Sequence, residues 1–105
     1  MPQYVFGGRP ISLGPMTADV RRLAEFARDA ARRTVEWMRT RRPAKTVATR
    51  YYDLVRGAGF GDCLVYGPRH GLGVMEVERP WVETTSEYEL APNMTFQIDT
   101  FLARA

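Results

Sequence analysis

The residues of this sequence with the most versatile chemistry are concentrated around its single histidine. His70 stands next to Gly71, and two glutamates and a tryptophan follow within eleven residues. An imidazole can bind a metal ion or transfer a proton near neutral pH. A lone histidine is also often structural, so its type and its neighbours by themselves leave both interpretations open.

A second candidate for chemistry is Cys63. It is the only cysteine of the chain, so an internal disulfide is impossible and a reducing cytoplasm is the predicted location. A catalytic thiol would need a nearby base to form the thiolate. We therefore predict that Cys63 is a small buried hydrophobic residue.

The basic charge of the chain raises the question of a nucleic-acid partner. The net charge is +3 at pH 7 and the pI is about 9.4. Eight of the fourteen arginines lie between residues 21 and 42, interleaved with acidic residues, and Asp29 precedes Arg33 by four positions. That spacing stabilises a helix surface. We therefore predict a solvated helix face and no nucleic-acid partner, and the absence of a long apolar run predicts no membrane partner.

Two helices are predicted to support these residues. Thr17 is a suitable N-cap for the first helix, which Pro43 should end, and the second should run from about Thr46 to the glycines at 57 and 59. A short connection favours an antiparallel pair. The predicted buried stripes are Val20, Leu23, Ala24, Ala27, Ala31, Val35 and Met38 on the first helix and Val47, Tyr51, Leu54 and Val55 on the second.

Beyond Phe60 the pattern changes to strands. A β-prone stub at residues 4–6 is joined by predicted strands at 64–66, at 72–77 and from Met94 onwards, whereas residues 80–89 are polar and turn-rich. In the last strand, Met94, Phe96 and Ile98 alternate with polar residues, which is the period of a half-buried strand. The element order predicts one α+β domain over residues 1–105, with the helices packed on a mostly antiparallel sheet.

Two segments resemble the signature motifs of a known enzyme family. His70-Gly71-Leu72-Gly73, followed by Glu78 and Pro80, resembles the His-Gly-Ile-Gly … His-Glu-x-Pro motif of the creatinase, Xaa-Pro peptidase and methionine aminopeptidase family. The segment from Leu90 to Asp99 resembles its Leu-x-Pro-Gly-Met-x-x-x-Ile-Glu motif. The preceding helices also agree, so the resemblance covers nearly the whole chain. It implies part of a pita-bread fold, within its C-terminal catalytic half.

The resemblance also implies a divalent metal site. Family members hold two metal ions with two aspartates, one histidine and two glutamates, and the ions supply a hydroxide that attacks the peptide carbonyl. His70 falls on the histidine ligand and Asp99 on the first glutamate ligand, where it is shorter by one methylene. The paired aspartates would precede Tyr4 and the last glutamate would follow Ala105. We therefore expect Mn, Co or Zn in the complete parent protein, and weak or no binding by this chain.

Three further residues are expected near the substrate. Glu78 retains the glutamate of its motif, but Val77 stands where the family has a second histidine and can neither donate a hydrogen bond nor shuttle a proton. Glu76 could partly replace that histidine or be a surface carboxylate. Trp81 could line a substrate pocket or cap the core, and the core is the preferred interpretation. Glu76, Glu78 and Trp81 are the substrate-binding candidates, and no residue is assigned as catalytic.

These inferences predict a segment of a Xaa-Pro dipeptidase-like or creatinase-like metallohydrolase that is inactive as an isolated chain. A peptide or a small molecule would be the substrate of the parent protein. A non-catalytic binding module on the same scaffold is one alternative. A small-molecule hydrolase or lyase is another, which Val77 favours. We also expect self-association through residues 94–102, because an apolar strand with an open edge recruits other chains.

Overall fold

The computed structural model describes residues 11–64, 69–71, 78–100 and 102–103, with the backbone alone at Arg69, His70 and Glu78. The predicted strands at 4–6 and 72–77, and most of that at 64–66, lie outside these residues. The α+β order is confirmed. Its elements are α1 (Ala18–Trp37), α2 (Ala44–Gly57), a 3-10 turn (Gly61–Cys63), β1 (Arg69–Gly71), β2 (Glu78–Val82) and β3 (Phe96–Ile98).

The first helix begins where the sequence predicts and ends earlier than predicted. Thr17 caps it, because its hydroxyl oxygen accepts a hydrogen bond of 3.2 Å from the amide of Val20. The helix ends at Trp37, well before Pro43. The guanidinium of Arg42 donates to the carbonyl of Trp37 at 3.0 Å. An arginine thus satisfies a terminal carbonyl that a longer helix would have paired internally.

The predicted apolar stripe of α1 is partly wrong. Val20 and Val35 are 50% and 56% exposed, whereas Ala30 and Thr34 are fully buried. Thr34 can point inwards because its hydroxyl donates to the Ala30 carbonyl at 2.7 Å, which satisfies the polar group. Phe26 packs beside Ala30 against the second helix. The buried face is therefore rotated from the one that the alanine and valine pattern suggests.

The second helix and its buried face agree with the prediction. Val47, Tyr51 and Val55 are completely buried. The helix is closed by a Schellman motif: the amide of Phe60 bonds the Val55 carbonyl and the amide of Gly59 bonds the Arg56 carbonyl, both at 3.0 Å. This motif needs a left-handed residue, and Gly59 provides it with φ of 86°.

The strands form a three-stranded antiparallel sheet in the order β2-β1-β3. Residues 80–89, which the sequence describes as polar and turn-rich, begin within a strand that was not predicted, because β2 runs from Glu78 to Val82. Its register against β1 shifts after His70, so Arg79 and Pro80 have no partner in the pairing. A proline lacks the N–H of a regular ladder, and an outer strand with a bulge tolerates it.

A set of backbone hydrogen bonds joins the helices to the strand region. The amide of Arg41 bonds the Leu90 carbonyl at 2.7 Å, that of Leu90 bonds the Arg42 carbonyl at 2.8 Å, and that of Ala44 bonds the Tyr88 carbonyl at 3.0 Å. We call residues 41–44 and 88–90 the backbone clamp. It seats Leu90 in one buried cluster with residues of α2 and β2, namely Ala44, Val47, Ala48 and Val82.

The C-terminal strand is shorter than predicted and less exposed. Phe96 packs against the cluster under α2, and Ile98 is half-buried. After β3, Leu102 forms a bridge with Leu64. Cys63 beside it is buried, as predicted, and carries a free thiol. Among the described residues, no helix has the length and hydrophobicity to span a lipid bilayer.

Candidate metal and substrate site

The sheet register aligns three positions that carry polar or aromatic residues. Trp81 on β2 pairs with His70 on β1, and His70 pairs with Gln97 on β3. Residues opposite each other in an antiparallel sheet share a face, and neighbours along a strand alternate. Val82 is fully buried beneath α2, whereas Trp81 is 42% exposed. The row of Trp81, His70 and Gln97 positions therefore lies on the face away from the helices, which we call the open face.

Asp99 lies beside this row. It follows Gln97 by two residues and is half-buried. The side-chain nitrogen of Gln97 donates to Oδ1 of Asp99 at 3.0 Å, so the two side chains share one side of the strand. Asp99 is therefore two residues along the chain from Gln97, which is the register partner of His70. The structure brings the carboxylate and the backbone position of the histidine to one part of the open face.

Two residues close to Asp99 along the chain carry buried polar atoms. The amide oxygen of Gln97 and the hydroxyl of Thr100 are buried, and no hydrogen-bond partner reaches them from the described part of the chain. Buried polar groups are nearly always paired, and exceptions are commonly found at functional positions or at bound water and ions. Gln97, which is bonded to Asp99, is therefore a candidate for a functional position.

Trp81 is an exposed residue and not the core cap that was preferred from sequence. Its carbonyl accepts hydrogen bonds from the Ser86 hydroxyl at 2.7 Å and from the Tyr88 hydroxyl at 2.8 Å, which fixes the end of β2. Burial raises the pKa of the Tyr88 phenol above its usual value, because the charged form is desolvated. A shallow open cleft at this end is lined by Arg79, Pro80, Trp81, Glu83, Thr85, Ser86 and Tyr88.

The remaining predicted site residues are only partly described. Glu76 and Val77 lie outside the described residues. The backbone of Glu78 belongs to β2 and pairs with Gly71. In the described ranges, no three side chains of His, Cys, Asp or Glu come together as a metal-binding group. Gln97 was not predicted as a site residue, although its place two positions before Asp99 on the same strand face was a usable signal.

The class of this chain is defined by an α+β scaffold with a histidine position and a carboxylate on the open face of its sheet. The chain belongs to metallopeptidase family M24, whose family model matches residues 6–103. The resemblance seen in the two sequence motifs is thereby confirmed. No curated protein sequence matches this chain.

Solved structures of peptidases share the fold. A dipeptidase from Pyrococcus horikoshii OT3 is 29% identical, with a TM-score of 0.77 over 82% of this chain and 24% of its own. The dipeptidase PepE from Mycobacterium ulcerans is 28% identical, with a TM-score of 0.77 over 83% and 24%. The prolidase from Pyrococcus furiosus is 25% identical, with a TM-score of 0.78 over 84% and 26%. The chain thus corresponds to about a quarter of each enzyme and to a partial pita-bread fold.

Proposed function

We propose that this chain supplies part of the catalytic half of a Xaa-Pro dipeptidase-like metallohydrolase, and that it does not hydrolyse peptides alone. The observation that carries the proposal is the meeting of Asp99 with the backbone position of His70 on the open face, in a chain of the M24 family. The peptidases of similar fold are more than three times as long. Their remaining length is where the rest of a complete site would reside.

The donor types of His70 and Asp99 suit a divalent metal ion. An imidazole nitrogen and a carboxylate oxygen are both accepted by Mn²⁺, Co²⁺ and Zn²⁺. When bound, such ions polarise the scissile carbonyl and supply a hydroxide at neutral pH. His70 and Asp99 would hold the metal on the side of this chain. Two protein donors are fewer than the three of ordinary catalytic zinc sites, so binding by the isolated chain should be weak.

Trp81, Glu78 and Glu76 are proposed to face the substrate. The partly exposed indole of Trp81 belongs to the residue that pairs with His70 and offers an apolar surface to a substrate side chain. Carboxylates at 76 and 78 would suit the amino group of a peptide or of another small cation. The peptide is supported by the dipeptidases and the prolidase among the similar structures.

A second candidate function is small-molecule hydrolysis or elimination on the same scaffold. It is favoured by Val77, which removes the hydrogen-bond donor that peptide hydrolysis uses to stabilise its tetrahedral intermediate. A binding module without catalysis would share the scaffold and lack both activities. Restoring the donor by Val77→His in the parent protein should raise Xaa-Pro hydrolysis if the parent is a Xaa-Pro dipeptidase. The substitution should leave that activity unchanged if the parent is a small-molecule enzyme or a binding module.

Metal titration of the chain tests the proposal directly. Isothermal calorimetry with Mn²⁺, Co²⁺ and Zn²⁺ should show weak binding that His70→Ala and Asp99→Asn each remove. Proline release from Xaa-Pro dipeptides should not exceed that of the His70→Ala variant. Submicromolar, stoichiometric binding by a monomer would contradict the incomplete site, and proline release above the control would contradict the inactivity of the chain.

Self-association and a cytoplasmic location belong to the same proposal. β3 is an outer strand of the described sheet, and Met94 before it is 40% exposed. An outer strand of this kind can pair with a second chain. The single buried thiol of Cys63 suits a reducing compartment. Light scattering coupled to size-exclusion chromatography should show mass increasing with concentration, and a stable monomer at high concentration would exclude the association.

A further inference from the structure

The amide of Gln97 bonds Asp99 through its nitrogen, and its oxygen has no hydrogen-bond partner among the described residues. Its nitrogen donates to Oδ1 of Asp99 at 3.0 Å. Its oxygen is buried, and no donor from the described residues reaches it. The same residue is the register partner of His70 across the β1–β3 pairing. One side chain therefore touches the proposed carboxylate ligand and lies opposite the position of the proposed imidazole ligand.

This arrangement is unfavourable for a residue whose only task is packing. A buried acceptor without a hydrogen bond destabilises the folded state, whereas an aliphatic side chain of similar length would fill the space without that cost. The contact with Asp99 is a hydrogen bond to a carboxylate, and such a bond is stronger than one between neutral groups. The amide is thus explained better by its action on Asp99 than by the stability of the sheet.

We propose that Gln97 is a positioning residue that fixes the carboxylate of Asp99 for metal binding. The proposal rests on the metal role of Asp99 given above. An aspartate that binds a metal must hold one rotamer, and a donor on the same strand face two residues earlier restricts both torsions of its side chain. Partners of this kind commonly change metal affinity by about 10-fold to 100-fold when they are removed.

The test compares three variants of the full chain. Gln97→Met keeps the length of the side chain and removes the donor. Thr95→Val changes an exposed residue on the same side of the strand and serves as the matched control. Asp99→Asn removes the proposed ligand itself. Mn²⁺ affinity is measured by paramagnetic relaxation of water protons, which detects weak binding, and the Asp99 rotamer is measured by three-bond NMR couplings without metal.

We expect Gln97→Met to weaken Mn²⁺ binding at least 10-fold and to average the Asp99 couplings, while Thr95→Val changes neither. Unchanged affinity and couplings in Gln97→Met, with binding lost in Asp99→Asn, would overturn the positioning role alone. Binding that survives in Asp99→Asn would overturn the metal role of Asp99 as well.

A measurement on the unmodified chain covers the case in which Gln97→Met fails to fold. Bound Mn²⁺ should broaden the side-chain amide signals of Gln97 strongly, because the nitrogen lies next to the ligand carboxylate. The amide signals of Asn93, on the turn before β3, are the internal reference. Equal broadening of the two residues at saturating metal would place the ion elsewhere and overturn the proposal.

Discussion

The helical layer buries large side chains of α2 completely, whereas the open face of the sheet leaves its aromatic side chain partly exposed. In the helical layer Val47, Tyr51 and Val55 have no exposed surface, and the end of α2 is closed by paired hydrogen bonds. On the open face the indole of Trp81 is 42% exposed and the amide oxygen of Gln97 is buried without a donor from the described residues. The comparison indicates that stability resides in the first region and binding chemistry in the second.

The largest expected effect is in the helical layer. Tyr51→Ala should reduce the free energy of unfolding by about 3–5 kcal/mol, because it opens a cavity between α1 and α2 at a completely buried aromatic residue. Urea denaturation followed by circular dichroism measures the change. A loss below about 1 kcal/mol would mean that this layer does not carry the stability of the domain.

The next effect concerns the end of α2. Gly59→Ala should cost about 1–2 kcal/mol, because a Cβ atom at φ of 86° is strained although the space around it is open. Gly57→Ala is the matched control, since it has equally open space and an ordinary helical φ, and should stabilise by about 0.4–1 kcal/mol. Equal effects of the two variants in the same denaturation experiment would exclude the Schellman motif as a stabilising feature.

The open face should respond much less. Trp81→Ala should reduce the free energy of unfolding by only about 1 kcal/mol, because 42% of the residue is exposed and its carbonyl keeps both hydrogen bonds. Substrate or inhibitor binding by the parent protein should weaken at the same time. A large loss of stability would show that Trp81 packs as part of the core, which would remove the contrast between the two regions.

The smallest expected effect is confined to alkaline pH. Burial raises the pKa of Tyr88 above 10.0, so on increasing pH the unfolded chain loses this proton before the folded chain does. Stability is therefore unaffected by this group at lower pH and falls as pH rises from about 10 through the raised pKa. Tyr88→Phe should flatten the decline of unfolding free energy with pH relative to the unmodified chain. An unchanged slope would mean that Tyr88 ionises equally in both states.

The sequence predicted the parts of the fold that depend on local patterns. Threonine and glycine are residue types that favour helix ends, so the ends at Thr17 and Gly59 could be predicted directly. The regular apolar pattern of α2 likewise predicted its buried face. The buried face of α1 could not, because Thr34 becomes suitable for the core only through its bond to the Ala30 carbonyl. β2 was missed because a proline in a polar stretch argues against a strand, and only the register shift in its pairing with β1 accommodates Pro80.

The sequence predicted the motif residues of the candidate site and missed the residue that depends on side-chain packing. His70 and Asp99 were identified because motifs carry them, and the family membership of the chain is confirmed. Gln97 has no such motif, and its contact with Asp99 depends on the rotamers of two side chains on a twisted strand. Asn93 replaces the glycine of the motif and adopts φ of 67°. Asparagine tolerates that conformation better than most residues, so the turn before β3 is retained.

The backbone clamp also shortens the effective loop that must close when α1 and β3 come into contact. α1 and β3 contact each other although most of the sequence separates them. Once Arg41 and Leu90 are joined, the path from Trp37 to Phe96 runs through two short segments instead of through α2 and two strands. Closing a short loop loses less chain entropy than closing a long one. The clamp therefore makes the packing of β3 on α1 a nearly local event, and we expect the order of assembly to be clamp first and β3 afterwards.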